Sequence, residues 1–396
     1  MKIIMPILHY PPVIGGFEIF TQSVAEEIGK TDDVFVVTSR VVNAPNQEIK
    51  NKLRIIRTSP WTLKNLSYTK PWFILGAMVW ILFKSLRLIK KEKIDIIHAQ
   101  GFLSGILAYL LKKITKKPYL ITIQSADFNI YHPRLNIKLI VKIYHRIEKI
   151  IFNNAKYCHA VSNYLGSHFG GYGVKKIAVI PDGVNQDEFK PDPRKNETRK
   201  KLGFDTENLI VCVSRLEHKN GTHDLISAMN VLVNNSNTPN KRSDQTSDIK
   251  LIICGDGSER KKLEAMIEKL HLRNNVFLLG DILHKDLPKY VACADIFVRP
   301  SLAEGFGIVF LEAMAAEVAV IGTPVGGIVD FLKDKETGLF CEVRNPQDIA
   351  EKIKTLINNQ DLRQRLIENA RRMVQEIYNW DKISEKLKSI YRQIYE

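Results

Sequence analysis

Short apolar runs alternate with amphipathic segments along most of the chain. In the first half, FEIFTQSVAEEIGK and SGILAYLLKKITKK have the period of helices, and seven apolar runs have the length and β-branched content of strands: KIIMPIL, DVFVVTS, LRIIRT, IDIIHAQ, PYLITIQ, KYCHAVS and KIAVIP. In the second half, NLIVCV, KLIICG, NVFLLG and DIFV precede further helical segments. This alternation predicts an α/β fold with doubly wound parallel sheets, whose ligands bind beyond the carboxyl ends of the strands.

The length of the chain indicates two domains. Its 396 residues suit two domains of about 180 to 200 residues each. The polar, proline-containing segment KPDPRKNETRKK is typical of an interdomain linker. We therefore predict a first domain over residues 1–189, a linker over 190–206 and a second domain over 207–375. The N-terminal MKIIMPILHYPP lacks the long apolar region of a signal peptide and is predicted to form the first buried strand.

The clearest candidate site lies in residues 299–329, RPSLAEGFGIVFLEAMAAEVAVIGTPVGGIV. The order is strand end, glycine loop and helix. Gly305 and Gly307 leave the backbone N–H groups at the helix N-terminus uncovered for an anion such as phosphate. Glu304 on the loop and Glu312 on the helix add carboxylates, which accept hydrogen bonds from hydroxyl groups. The stretch therefore predicts a ligand that carries both phosphate and sugar hydroxyls, and the later VGGI turn is a further source of N–H donors.

Three other loops carry candidate groups, each with a plainer alternative. Arg215 and Lys219 follow a strand at a spacing that lets both reach a diphosphate, although charged loop residues are usually only solvated. His98 closes a strand, where a histidine is more often structural than catalytic. The double glycine Gly15 and Gly16 precedes a helix and indicates either a tight turn or an anion site.

Ser301, the EGFG and EAMA segments and the VGG turn, in this order, resemble the donor-site signature of the retaining GT-B glycosyltransferases of family 4. The resemblance implies that Glu304 approaches the donor sugar and that Glu312 holds the ribose. The diphosphate and sugar would be held by the glycine loop and the helix start: Gly305, Phe306, Gly307 and Ile308. The implied fold is two Rossmann-like domains facing across a cleft, with the donor mainly on the second and the acceptor on the first. Residues 376–396 would form a helix that packs back on the first domain.

The same resemblance assigns roles outside the glycine loop. It places the double glycine against the donor phosphate, and it places Arg215 and Lys219 beside the leaving diphosphate. His98 and Asp127 become candidates near the reacting sugar. The remaining nucleotide contacts are assigned to Gly257, Leu279 and Gly280.

The sequence also departs from the pattern of that family. Gln100 and Gln124 stand where histidines are often found, and an amide cannot exchange a proton near neutral pH. Asn220 holds the usual lysine position of R-L-x-x-x-K-G, so Lys219 lies one residue early. Glu317 stands where glycine is common at the end of the helix.

The net charge of +15 lies in the first half of the chain. Residues 1–180 contain 26 Lys and Arg against 10 Asp and Glu, whereas the remainder is close to neutral. Such a field attracts phospholipid, lipid diphosphate or nucleic acid. It favours a membrane-associated acceptor, such as a lipid-linked saccharide, over a soluble one.

Residues 71–83, PWFILGAMVWILF, form an apolar run of 13 residues, which is too short to cross a bilayer. Two interpretations stay open: a helix buried in the first domain, or a helix that lies in the membrane interface. In the second, Trp72, Phe73 and Trp80 anchor at head-group depth. Anionic lipid would then meet the basic residues that follow: Lys84, Arg87, Lys90, Lys91 and Lys93, with a further cluster at Lys112, Lys113, Lys116 and Lys117.

The five cysteines are widely spaced and form no CxxC pair, so we expect reduced, mostly buried thiols in a cytoplasmic protein. The chain also lacks a compact DxD motif and a His/Cys ligand cluster. We therefore expect no metal, and no cofactor besides the substrate, a UDP- or GDP-linked sugar.

These features predict a retaining glycosyltransferase of glycan, glycolipid or polysaccharide biosynthesis, in the cytoplasm or at the cytoplasmic face of a membrane. Two other classes stay open. A nucleotide-sugar epimerase of similar fold would convert the donor without an acceptor. A nucleic-acid-binding protein would suit the basic charge, although no recognition helix or RNP-like aromatic pattern is evident.

Overall fold

The structure, a computed structural model, describes residues 1–12, 16–63, 71–124, 138–236 and 248–396. The chain divides into two compact units. The first contains Met1–Asp182 together with Trp380–Glu396, and the second contains Gly183–Asn379. Each unit contains a parallel sheet with connecting helices, so the predicted class of two Rossmann-like α/β domains is confirmed.

The sheet of the first unit is built outward from its first strand. Its strands in chain order are β1 (Lys2–Pro6), β2 (Asp33–Val41), β3 (Gln47–Lys50), β4 (Leu53–Leu63), β5 (Ile96–Gln100), β6 (Tyr119–Ile123), β7 (Tyr157–Ala160) and β8 (Ile177–Val179). They lie in the order β3-β4-β2-β1-β5-β6-β7-β8, and β3 is antiparallel to β4. Ile3 pairs with Val34 on one side and Ile96 on the other, and all three are buried, as expected for a parallel strand covered on both faces.

The helices of the first unit follow its strands. In chain order they are α1 (Gly16–Ile28), α2 (Pro71–Glu92), α3 (Gly101–Thr115), α4 (Lys138–Asn154) and α5 (Asn163–Gly170). Their apolar faces cover the sheet: Val24 and Ile28 of α1 and Leu107 and Leu111 of α3 are fully buried. The alternation of strands with helices therefore matches the pattern in the sequence.

The second sheet has a switch point beside its first strand. Its strands are β9 (Asn208–Val213), β10 (Ile249–Cys254), β11 (Val276–Gly280), β12 (Ile296–Arg299), β13 (Ala319–Gly322) and β14 (Leu339–Phe340). They lie in the parallel order β11-β10-β9-β12-β13-β14. Because β10 lies on one side of β9 and β12 on the other, the loops after β9 and β12 open side by side, which is where ligands bind in such sheets.

The second unit has its own helices and core. The helices are α6 (Lys195–Lys201), α7 (Thr222–Ser236), α8 (Arg260–Lys269), α9 (Leu287–Ala292), α10 (Ile308–Ala315), α11 (Ile328–Phe331), α12 (Pro346–Asn358) and α13 (Gln360–Ile377), with 3-10 turns at His218–Asn220 and His284–Asp286. The core contains Ile210, Leu251, Ile296 and Ile321, one from each of four neighbouring strands. It holds the strand ends, and so the loops that follow them, in fixed positions.

The segment before α6 and the predicted linker both pack within the second unit. Val184 N–H donates to Tyr378 O at 2.9 Å, and Phe189 is buried. In α6 the buried guanidinium of Arg199 donates to Cys293 O at 2.8 Å and pairs with Asp295 at 2.8 Å. The division of the structure therefore falls after Asp182, whereas the sequence places it at residue 189.

The C-terminal helix α14 (Trp380–Tyr395) belongs to the first unit. Ile383, Leu387 and Ile394 lie on its buried face. Tyr157 Oη donates to Gln393 Oε1 at 2.6 Å, which ties the helix to β7.

All five cysteines are buried and form no disulfide, as the sequence predicted for the thiols themselves. Burial raises the pKa of Cys158 and Cys212 to about 12, so both stay protonated thiols at neutral pH.

Helix α2 is longer than its apolar run. It extends through 22 residues to Glu92, because the polar residues after the run continue the same helix. By length and composition alone, Trp72–Glu92 could cross a membrane, and 33% of its most apolar window is buried in the protein. The apolar run of 13 residues is therefore only the first part of a helix that is long enough, by length and composition alone, to span a bilayer.

Candidate functional site

The loops after β9 and β12 contact each other at the switch point of the second sheet. Leu302 N–H donates to Lys219 O at 2.7 Å. Gly221 has φ 70°, and a Cβ placed there would lie 1.8 Å from Pro300 O. Only glycine lets the two loops approach so closely. The β9 loop (residues 214–221) is thereby fixed against the β12 loop.

The glycine loop (residues 304–307) leads into α10. The first-turn N–H groups of a helix have no partners within it, and the helix dipole favours an anion beside them. Phe306 is buried in the middle of the loop, with its ring centroid 5.5 Å from that of Phe331 and 6.2 Å from that of Tyr378. This apolar anchor holds the flanking backbone in position.

The second glycine turn (residues 325–327) packs on the glycine loop. Gly327 N–H donates to Glu304 O at 3.2 Å. Gly326 has φ 55°, and a Cβ there would lie 1.8 Å from the same carbonyl oxygen. Thr323 Oγ1 donates to Ser301 O at 2.5 Å, which joins the residues that precede the two segments. The two glycine segments thus form one rigid structure.

Glu304 is paired with a cation that the sequence analysis missed. Its Oε2 lies 2.6 Å from Arg299 Nη2. The same Nη2 donates to Asn220 Oδ1 at 3.1 Å, and Asn220 Nδ2 donates to Arg215 O at 2.7 Å. Asn220 therefore connects the two arginines through its amide. The available signal was the place of Arg299, at the carboxyl end of β12 directly before the Pro-Ser turn.

Glu312 is paired with a histidine that the sequence analysis also missed. His284 Nε2 lies 3.5 Å from Glu312 Oε1, and His284 Nδ1 lies 4.0 Å from Glu188 Oε2. The neighbouring carboxylate of Glu312 raises the pKa of His284 above its ordinary value, against the opposing effect of burial. No sequence signal pointed to this pair, because its members lie 28 positions apart in the chain, with α9 and β12 between them.

Ser301 brings an unsatisfied hydroxyl to the site. The residue is fully buried, and within the described part of the chain its Oγ has no hydrogen-bond partner. Buried hydroxyls are nearly always hydrogen-bonded. Ser301 is therefore suited to bind a polar group of a ligand.

The two predicted cations differ in exposure. The Arg215 side chain is 65% exposed, with Nη1 3.5 Å from Glu217 Oε1. The Lys219 side chain is 17% exposed, with Nζ 4.0 Å from Glu217 Oε2. Both lie on the β9 loop, beside the same carboxylate.

The remaining predicted residues of the second unit lie on adjoining loops. Gly255 N–H donates to Gly280 O at 2.8 Å, which joins the ends of β10 and β11. Leu216 N–H donates to Asp256 O at 2.9 Å, which brings the turn at Gly257 onto the β9 loop. Leu279 directly precedes Gly280 at the end of β11. The structure thus brings the second-unit candidates to one edge of the sheet, on neighbouring loops.

His98 of the first unit lies inside a buried polar chain. Its Nδ1 lies 2.7 Å from Tyr391 Oη and its Nε2 2.7 Å from Thr122 Oγ1, which in turn lies 2.9 Å from His159 Nδ1. Gln100 Nε2 is 3.0 Å from His98 Nε2. Burial lowers the pKa of His98 to about 3, so the ring is neutral at physiological pH. This geometry favours a structural role for His98.

Two candidates of the first unit lie outside the described residues. These are Gly15 and Asp127, and their assigned contacts stay predictions. Gly16 is described, and it opens α1, as the loop pattern predicted.

Two family models match most of the chain. "Glycosyl transferases group 1" matches residues 194–373, and "Glycosyltransferase Family 4" matches residues 14–188. The chain is 28% identical over 417 residues to the uncharacterized glycosyltransferase MJ1607 of Methanocaldococcus jannaschii. This match covers 99% of this chain and 98% of that protein. It is 29% identical over 242 residues to the GDP-mannose-dependent alpha-(1-6)-phosphatidylinositol monomannoside mannosyltransferase of Mycobacterium tuberculosis, which covers 59% of this chain and 60% of that protein.

A solved structure shares the whole fold. The complex of Anabaena HepE with UDP-glucose matches with a TM-score of 0.77 at 19% identity, covering 99% of this chain and 100% of that one. The fold is thus that of the GT-B glycosyltransferases. The chain belongs to the glycosyltransferases of group 1, with a first half of the family 4 type. These matches give no support to the epimerase or the nucleic-acid-binding alternative.

Proposed function

We propose that this chain transfers a sugar, with retention of anomeric configuration, from a UDP- or GDP-linked donor to a lipid-linked or membrane-associated saccharide. One observation carries the donor half of the proposal. Glu304 on the glycine loop and Glu312 on α10 flank the N-terminus of that helix along the chain, on an edge that also carries cations. Such a set fits a ligand with a diphosphate at its centre and hydroxyl groups at both ends.

The diphosphate would bind at the start of α10. As the bond to the sugar breaks, negative charge grows on the departing phosphate. Arg215 and Lys219 on the β9 loop, together with the α10 amides, would stabilise that charge through positions that are already fixed before the reaction. Two sets of contacts supply this preorganisation: the β9 loop packs on Pro300 and Leu302, and the glycine loop packs on the second glycine turn.

The two carboxylates would hold the two ends of the donor. Glu304 follows the strand end and would accept hydrogen bonds from the donor sugar. Glu312 on α10 would accept them from the ribose. Arg299 orients the Glu304 carboxylate through its ion pair, and His284 does the same for Glu312.

The proposal of a membrane-associated acceptor is supported by the surface of the first unit. Helix α2 exposes an apolar face on which Trp72 is 60% exposed. Toward its C-terminus the same helix carries basic residues. The other members of this exposed apolar face are Leu75, Val79, Trp80 and Phe83. Aromatic residues next to cations suit an interface with anionic lipid. The mycobacterial relative is named for a phosphatidylinositol-linked acceptor, which agrees with a lipid-linked acceptor here.

Binding and turnover measurements on matched variants test the donor half. Titration calorimetry with UDP and GDP identifies the base. Glu312→Gln is expected to weaken nucleotide affinity, whereas Glu304→Gln is expected chiefly to lower turnover. Glu317→Gln is the control and should change neither; Glu317 lies just beyond the C-terminus of the same helix and pairs with Arg371. The reverse pattern for the first two variants would overturn the assignment, and an inverted anomeric centre in the product by NMR would overturn retention.

Vesicle sedimentation tests the membrane half. A triple variant should bind phosphatidylglycerol vesicles less tightly than the parent chain does; its substitutions are Lys90→Gln, Lys91→Gln and Lys93→Gln. Neither protein should bind strongly to vesicles of phosphatidylcholine. The control removes the same charge from exposed lysines of the second unit: Lys200, Lys201 and Lys261. Equal sedimentation of the two triple variants would reject the membrane contact.

A further inference from the structure

Two histidines and a glutamate converge on the outer side of the β9 loop. His218 belongs to the 3-10 turn, His223 lies in the first turn of α7, and Glu259 directly precedes α8. One ligand atom from each lies within 4.8 Å of the other two, and His223 Nε2 is 3.6 Å from Glu259 Oε2. These residues stand apart from the roles assigned above to the donor site.

The backbone already fixes these three positions. Glu259 N–H donates to Leu216 O at 2.9 Å, which joins the start of α8 to the β9 loop. The adjoining bond from Leu216 N–H to Asp256 O, also 2.9 Å, closes the same connection. Binding of one ion by all three side chains therefore requires changes of side-chain rotamer and no rearrangement of the backbone.

The donor set suits a divalent ion of borderline softness. Two imidazoles and one carboxylate are the protein ligands of many open zinc sites, with Zn–N and Zn–O distances of about 2.0 to 2.2 Å. Tetrahedral ligands at that distance are about 3.3 to 3.5 Å apart, close to the observed spacing of His223 and Glu259. Lys262 Nζ binds Glu259 Oε1 at 2.8 Å, so the carboxylate offers its second oxygen, Oε2, toward the histidines.

We propose that His218, His223 and Glu259 bind one Zn²⁺ ion, with water at the fourth position. His218 is exposed, so that position is open to solvent. The ion connects the β9 loop to the starts of α7 and α8, and it stabilises the folded second unit. Lys219 directly follows His218, so the ion also restrains the backbone that carries this predicted phosphate cation. The sequence alone gave no hint of the cluster, because 36 residues separate Glu259 from His223.

Zinc binding to the tag-free full chain tests the proposal. After removal of metals with EDTA, ZnCl₂ is titrated in competition with a chromogenic chelator. The parent chain should bind one equivalent, and His218→Ala, His223→Ala and Glu259→Gln should each weaken that binding at least about tenfold, because each removes one of three protein ligands. The control is His271→Asn: His271 is an exposed histidine of the same unit at φ 56°, a backbone conformation that asparagine tolerates.

A second measurement separates ligand loss from misfolding. Without zinc, the parent and variant chains should melt at the same temperature. Added zinc should raise the melting temperature of the parent and of the His271 control, and it should leave the three site variants unchanged. The buried cysteines do not compete in the folded chain. The proposal is overturned if the parent binds no zinc at micromolar concentration, or if all three site variants bind it as the parent does.

Discussion

The contact between Gly326 and Glu304 offers the sharpest test of the donor site. Gly326→Ala would place a Cβ 1.8 Å from Glu304 O and 2.9 Å from Glu304 C. Both atoms belong to the backbone, so no side-chain rotation relieves the clash. The second glycine turn must then move away from the glycine loop, and the bond from Gly327 N–H to Glu304 O must lengthen or break.

Two contributions set the size of the effect. A non-glycine residue at φ 55° costs about 1 to 2 kcal/mol, and overpacking against fixed atoms costs a further 1 to 3 kcal/mol or so. We therefore expect Gly326→Ala to lower the free energy of unfolding by about 2 to 5 kcal/mol. A displacement of the loop by about 1 Å should also lower turnover roughly a hundredfold.

Gly203→Ala isolates the first contribution. Gly203 lies in the same unit at φ 84°, and a Cβ there would meet nothing within 4 Å. Urea unfolding should show a loss of about 1 to 2 kcal/mol for this control, from backbone strain alone. Calorimetric titration with the nucleoside diphosphate should give the control the affinity of the parent, and Gly326→Ala an affinity at least about tenfold lower.

Equal behaviour of the two variants would refute the reasoning. If Gly326→Ala were no less stable than Gly203→Ala and bound the nucleotide as tightly as the parent, the two glycine segments would not be packed as described. If Gly326→Ala lost stability but kept the nucleotide affinity of the parent, the clash would be confirmed, and the second glycine turn would not be part of the donor site.

Three further outcomes follow from the charges of the two units. The pKa of His284 is raised in the folded chain, so its pairing with Glu312 stabilises the fold below pH 6.5, and this stabilisation is lost as pH rises through the raised pKa. The difference in free energy of unfolding between the parent and Glu312→Gln, measured with urea, should therefore shrink from pH 6 to pH 8. Burial lowers the pKa of His98 to about 3 and of His159 to about 4, so the unfolded chain takes up protons first. The amide protection factors of the first sheet, which correct for the slower intrinsic exchange in acid, should therefore fall as pH falls from 6.5 toward 4, and a flat profile would contradict neutral buried rings. Arg299→Gln should lower turnover more than nucleotide affinity, with partial rescue by Arg299→Lys, because Arg299 acts by orienting the carboxylate of the glycine loop.

Local pattern sufficed for most of the elements and for the glycine loop, but not for the edge strand β3 or the helix α4. The runs of buried apolar residues identified the strands, and glycine beside helix-forming residues identified the start of α10. The sequence could not reveal that the loops meet in pairs, because Gly221 contacts Pro300 across 79 residues and Gly326 contacts Glu304 across 22. The position of His98 shows the same limit. A histidine at a strand end looked like a candidate for chemistry, and the sequence could not show its buried partners: Thr122 on the neighbouring strand, and Tyr391, 293 residues away on the C-terminal helix.

The exchange of lysine for asparagine at position 220 is explained by the neighbouring strand. Arg299 already places a guanidinium 3.1 Å from the Asn220 amide oxygen, in a partly buried environment. A lysine at 220 would bring a second cation to within about 4 Å of it, a repulsion of about 4 kcal/mol at the effective dielectric of such sites. Asparagine instead accepts a hydrogen bond from Arg299 and donates one to the backbone of Arg215. Arg299, at the end of β12, thus adds a positive charge beside Asn220, and the residue suited to position 220 depends on the residue at position 299.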